Sequence, residues 1–160
     1  MTLKEIRIAK KITQMEASEY LSVSLRSYKD YENNPNRENT LKYKFMIDKL
    51  QRYNFIDEEN GILTIDDIKS IVSRVFEEYD VSYCYLFGSY ARNEATEISD
   101  VDLLVSCNVD GLNFFGLIEK LRTSLCKRVD LLGLEQLDGN YELTTEILKD
   151  GIKIYERKQK

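Results

Sequence analysis

The sequence predicts an α+β chain: an all-α unit over residues 1–55, then a small α/β unit over residues 56–160 with a mixed sheet flanked by helices. Three observations carry that reading. Charge divides at the same place: residues 1–55 hold 11 Lys/Arg against 7 Asp/Glu, while residues 56–160 hold 12 against 21. A net of +4 joined to a net of −9 points to two modules with different partners. The first 55 residues read as short helices parted by turns, and the rest alternates strand-like apolar runs with amphipathic helices. Finally, Leu86–Val105 compresses a strand, a tight turn, a short helix and a strand that opens with two carboxylates.

Leu3, Ile6 and Ala9 lie at helical spacing. Thr13 with Glu16 is a capping-box pattern for a second helix through Ala17 and Tyr20. Leu21-Ser22-Val23 reads as a turn, and Ser24 caps a third helix through Tyr28 and Tyr31. After the breaker cluster Asn33-Asn34-Pro35-Asn36, the residues Leu41, Phe45 and Leu50 mark a fourth. Helix, short turn, helix is the helix-turn-helix signal.

Asp57–Gly61 reads as a linker. Thr64 with Asp66 and Asp67 starts a helix whose apolar stripe is Ile65, Ile68, Val72, Val75 and Phe76. Val81–Phe87 is apolar on both faces, as a central strand is. A strand over Asp100–Cys107 follows, then a helix over Leu112–Leu125 with Phe115, Leu117, Ile118 and Leu121 inside. Lys127–Leu132 is a third strand and Tyr141–Lys149 a last helix, stopped by Gly151 before a short strand over Ile152–Tyr155.

Composition narrows the function. At 42% hydrophobic and 32% charged, this is ordinary globular usage. No apolar run approaches a membrane span, and the N-terminal apolar residues are interleaved with Lys and Arg. A cytoplasmic protein without membrane contact is the expectation. Cys84, Cys107 and Cys126 form no CxxC and read as small reduced hydrophobes. Histidine is absent, which removes His-dependent triads and His-ligated zinc. Acid–base or metal chemistry must rest on carboxylates.

Strand alternation puts Asp100 and Asp102 on one face and Val101, Leu103 and Val105 on the other. Two neighbouring carboxylates repel each other, and water or a divalent cation must offset that. Oxygen-only ligands suit magnesium, which takes one or two carboxylates plus substrate phosphates. Gly88 permits a tight turn and close approach to the backbone. Ser89 adds a hydroxyl and an amide at a helix start, where anions are favoured.

Gly88-Ser89, ten residues, then Asp100-x-Asp102 resembles the signature of the DNA polymerase β-type nucleotidyltransferases. Phe87-Gly88-Ser89-x-Ala91-Arg92 followed by Ser99-Asp100-x-Asp102-Leu103-Leu104-Val105 is similar to the minimal (MNT) members, making 56–160 a minimal nucleotidyltransferase domain. Asn93 departs, since Gly is usual there, but Asn tolerates left-handed backbone. Asp130, in Val129-Asp130-Leu131-Leu132, matches the third carboxylate of that family; an isolated Asp in a strand is otherwise disfavoured. The alternative for Asp130 is an edge Asp paired with Arg128.

The resemblance implies transfer of a nucleoside monophosphate from an NTP to a hydroxyl. Asp100 and Asp102 would hold two Mg²⁺ ions, Asp130 would hold one and take the hydroxyl proton, and Gly88, Ser89 and Arg92 would hold the triphosphate. Minimal nucleotidyltransferases resemble the antitoxin half of MNT/HEPN toxin–antitoxin pairs. There the implied reaction moves AMP from ATP to a tyrosine of the HEPN RNase toxin. An aminoglycoside-type enzyme, which needs more chain for its acceptor pocket, and an inert DNA-binding repressor are the alternatives.

Residues 1–55 resemble an XRE/Cro-type helix-turn-helix domain, through Arg7, Thr13-Gln14, Ala17, Val23-Ser24 and Tyr31-Glu32. Ser22 and Asn33 stand where Gly is common. The resemblance puts Gln14 and Ser24 near phosphates and Arg26, Ser27, Lys29 and Asp30 toward the major groove of promoter DNA. A net of +4 with an Asp on that helix binds DNA weakly alone, so a homo-oligomer reading two half-sites is the usual solution.

Overall fold

Hydroxyl caps set the boundaries of the N-terminal helices. In the computed structural model, which describes residues 1–158, Thr2, Thr13, Ser24 and Thr40 each accept a hydrogen bond from a first-turn amide. They start α1 (Leu3–Ala9), α2 (Gln14–Tyr20), α3 (Leu25–Asn33) and α4 (Leu41–Gln51). A 3₁₀ turn over Pro35–Arg37, which the breaker cluster concealed, precedes α4. Met1–Phe55 forms one compact unit, and a second begins at Ile56.

The first unit packs around Leu3, Ile6, Ala17, Leu21, Tyr28, Met46 and Leu50. Ser22 turns the chain between α2 and α3 in the left-handed region, at φ +56. Arg7 pairs with Glu32 in two hydrogen bonds, Nε to Oε2 at 2.8 Å and Nη2 to Oε1 at 3.0 Å. Burial pushes the Glu32 carboxyl up, but the hydrogen bonds from Arg7 and Gln14 outweigh that and hold it below its usual range. Leu41 and Phe45 do not enter this core. The buried stripe of α4 is Tyr43, Met46 and Leu50, and Lys49 lies over the outward Phe45 ring at 5.7 Å.

In the second unit the elements are α5 (Ile65–Phe76), β1 (Val81–Phe87), α6 (Gly88–Ala91), β2 (Val101–Cys107), α7 (Gly111–Leu125), β3 (Val129–Gly133), α8 (Tyr141–Asp150) and β4 (Ile152–Glu156). The sheet runs β3-β2-β1-β4. β1 is antiparallel to both β2 and β4, while β2 and β3 are parallel across the α7 connection, so the sheet is mixed. Val101, Leu103 and Val105 join α5 and α7 in the larger core. Leu104 and Phe87 face the other way and pack with Ile147 of α8.

Phe115 is 71% exposed, against expectation. The α7 stripe follows Leu117, Leu121 and Leu125, and Phe115 lies two residues off it, on the opposite side of the helix.

Candidate functional site

β2 and β3 carry the acidic residues because parallel pairing sets their register. Asp102 lies directly beside Asp130. In-register neighbours point to the same side of a sheet. That side is the α8 face, since Asp102 alternates with Leu103 and shares its direction with Leu104.

The turn after β1 completes one wall. Phe87 pairs with Asp102, so the next residue, Gly88, sits against that carboxylate. A Cβ on Gly88 would come within 2.2 Å of Asp102 Oδ2, and its φ is +71. Both facts demand glycine there. α6 begins immediately, with no side-chain hydrogen bond capping its first turn. Ser89 stands half-buried in that turn. Asn93 ends the segment at φ +59, the left-handed geometry for which Gly is the commoner choice.

Asp102 is half-buried, and its carboxyl is pushed up from 3.8 to about 6. Burial is the main cause; Asp130, Asp100 and Glu146 add repulsion, and Arg92 opposes them. This is a site of accumulated negative charge with oxygen donors only, which fits a hard divalent cation. Among the described residues, no three His, Cys, Asp or Glu side chains are gathered closely enough to hold a metal ion as they stand. The structure brings Asp102 and Asp130 together but ties Asp100 to Arg128 at 3.1 Å. That pair is about half exposed on each side, so releasing Asp100 costs roughly 0–1 kcal/mol. Arg128 thus pairs with Asp100 rather than Asp130, and Asp130 has no ion-pair partner among the described residues.

Two site contributions have no local sequence signal. Arg92 donates from Nε to Glu94 and from Nη1 to Glu146 of α8, both at 3.0 Å. Glu146 was therefore missed as a member of the site. Lys127 is wholly enclosed, and its ammonium donates to the backbone oxygens of Asn60 (3.1 Å) and Glu97 (2.5 Å). It pins the loop that leads to Asp100. Burial lowers its pKa, against the pull of Asp57 and Glu97.

In the N-terminal unit, Arg26, Lys29 and Ser24 are exposed and Ser27 is half-buried, on and just before α3. The Ser24 hydroxyl accepts the Ser27 amide. Asp30 pairs with Arg37 at 2.8 Å, which offsets the one acid expected to face the groove. Gln14 spends its amide on Glu32 at 2.8 Å, a second partner for that buried carboxylate.

The geometry of the second unit has a counterpart in a known family. The Polymerase beta, Nucleotidyltransferase family matches residues 68–160. The chain belongs to this family. It is a nucleotidyltransferase by that membership, and the matched span holds Gly88, Ser89 and all three carboxylates. Two curated relatives of this nucleotidyltransferase are named for protein substrates. A candidate protein adenylyltransferase of Methanocaldococcus jannaschii is 44% identical over 75 residues, covering 43% of this chain and 76% of the relative. The protein adenylyltransferase MntA of Thermococcus cleftensis is 40% identical over 78 residues, covering 45% of this chain and 79% of MntA. A solved toxin–antitoxin structure with AMP-PNP is similar at a TM-score of 0.49 and 23% identity, over 57% of this chain and 75% of that one. Among the described residues no helix is long and apolar enough to cross a membrane.

Proposed function

We propose that the C-terminal unit transfers AMP from ATP to a protein hydroxyl, a tyrosine of a HEPN-domain toxin, and so acts as its antitoxin. The observation that carries this reading is the register: Asp102 beside Asp130, with Gly88 cleared of any side chain at the same carboxylate. The names of the two relatives support a protein acceptor and an adenylyl donor.

Gly88 and the uncapped start of α6 receive the phosphates, and Ser89 adds a hydroxyl. Asp100, Asp102 and Asp130 are the residues that would hold Mg²⁺. Two such ions would supply the charge neutralisation that an in-line displacement needs. Asp130 takes the proton from the attacking tyrosine oxygen as the bond to the α-phosphorus forms and pyrophosphate leaves. The repulsion at Asp102 is a ground-state cost that a divalent cation relieves, which ties catalytic assembly to Mg²⁺.

The N-terminal unit, in this reading, binds promoter DNA for autoregulation. Arg26, Ser27 and Lys29 lie on α3 for base and phosphate contact, and Ser24 stands at its start. Gln14 contributes less directly, because its amide already holds Glu32.

The test supplies ATP labelled at the α-phosphate, Mg²⁺ and a co-expressed HEPN partner, with kanamycin as a second acceptor. Label on a tyrosine of the partner supports the reading. Label on kanamycin alone, or none on either, overturns it.

A further inference from the structure

The Arg92 guanidinium is held from two sides. Its Nε donates to Glu94 Oε2 and its Nη1 to Glu146 Oε1, each at 3.0 Å. Among the described residues its other amino group, Nη2, has no hydrogen-bond partner. Glu94 lies two residues away on a loop, so it restrains Arg92 only locally. Glu146 lies 54 residues on, in α8, between Leu143 and Ile147, which pack against the sheet through Phe87 and Leu104. Its backbone is therefore fixed to the same face that carries Asp102.

We infer that Glu146 is a positioning residue: from α8 it fixes Arg92 at the lip of the Gly88–Ser89 turn, leaving Nη2 to meet a phosphate of the nucleotide. This rests on the nucleotide reading above. The guanidinium is planar and forked, so two fixed acceptors set its plane and leave one edge for a third. Without Glu146 the long side chain regains its rotamers, and each nucleotide bound must order it again. The loss then falls on binding, which the ground state and the transition state share, and it appears in KM more than in kcat.

The experiment measures Mg²⁺-dependent binding of a non-hydrolysable ATP analogue to the full chain, and KM and kcat for ATP, in a double-mutant cycle. The variants are Arg92→Ala, Glu146→Ala and the double variant, with Glu146→Gln as a size-conserving control. Arg92→Ala should weaken analogue binding roughly tenfold, as loss of one charge-assisted hydrogen bond does, and Glu146→Ala roughly two- to tenfold, the cost of ordering one long side chain anew, with kcat changed less than about threefold in both. The double variant should bind no more weakly than Arg92→Ala, and Glu146→Gln should fall between wild type and Glu146→Ala. Multiplying effects would show that Glu146 acts apart from Arg92 and would overturn the inference. Tighter binding in Glu146→Ala would overturn it too, since Glu146 would then be a restraint on Arg92. If the wild type itself fails to bind the analogue, the nucleotide reading falls and takes this inference with it.

Discussion

Replacing Asp102 by Asn removes a charge from a half-buried face while keeping the side chain's shape. The Asp102 carboxyl titrates near 6 in the folded protein against an ordinary 3.8. At about 1.36 kcal/mol per pKa unit, ionising it in the fold costs about 3 kcal/mol more than in the unfolded chain. The sign follows from proton counting. Between pH 3.8 and 6 the folded state holds the proton more tightly, so stability falls as pH rises and the full cost stands above pH 6. Asp102→Asn should thus match the wild type near pH 3.5, apart from a constant offset, and gain up to about 3 kcal/mol over it by pH 8. Urea denaturation of the full chain, followed by the methyl NMR signals of Leu103 and Val105, reports on this unit alone. Mg²⁺ at pH 8 should narrow the gap, by stabilising only the wild type. A gap that does not change with pH, or an Asn variant that loses stability as pH rises, would refute the reasoning.

Gly88→Ala should cost about 1–2 kcal/mol of stability, from its left-handed backbone. It should cost roughly a hundredfold in transfer rate, because the new Cβ displaces the Asp102 carboxylate. Ser22→Gly should raise the stability of the N-terminal unit by about 0.5–1 kcal/mol in urea denaturation, since Ser22 sits at φ +56. Arg7→Met should destabilise that unit by about 3–5 kcal/mol, because Glu32 keeps its charge at a site only 1% exposed. In the wild type the Glu32 contribution should be complete above pH 4.5 and lost as pH falls through its lowered folded pKa, which acid titration of unfolding checks. Arg26→Ala with Lys29→Ala should weaken promoter binding and reduce its salt slope by about two, while leaving AMP transfer unchanged. Unchanged promoter binding would show that α3 reads something other than DNA.

Patterns local to the chain were legible, and partnerships across it were not. The capping box at Thr13 and Glu16 fixed the start of α2, and the apolar stripe of α5 fixed its buried face. Asn93 and Ser22, read as substitutes for Gly, both adopt positive φ. The neighbourhood of Asp102 and Asp130 was implied by the family resemblance alone, and the parallel register of β2 and β3 is what realises it. By contrast, Glu146 meets Arg92 across 54 residues, and Lys127 reaches Glu97 across 30. Nothing in the spacing of either marks it, because tertiary packing alone brings the partners together. The alternative reading of Asp130, as an edge Asp paired with Arg128, does not hold, because Arg128 pairs with Asp100 just before β2. Phe115 and Phe45 were misplaced because a large apolar residue near a stripe looks like part of it, and α7 and α4 turn both outward.

A single divalent-cation and nucleotide site shared by Asp102 and Asp130 is the proposal on which the enzyme reading turns. The direct measurement is the melting temperature of the full chain with Mg²⁺ and a non-hydrolysable ATP analogue, for wild type, Asp102→Ala and Asp130→Asn. A rise that needs both Mg²⁺ and analogue is expected in the wild type and in neither variant. An equal rise in all three proteins would contradict it.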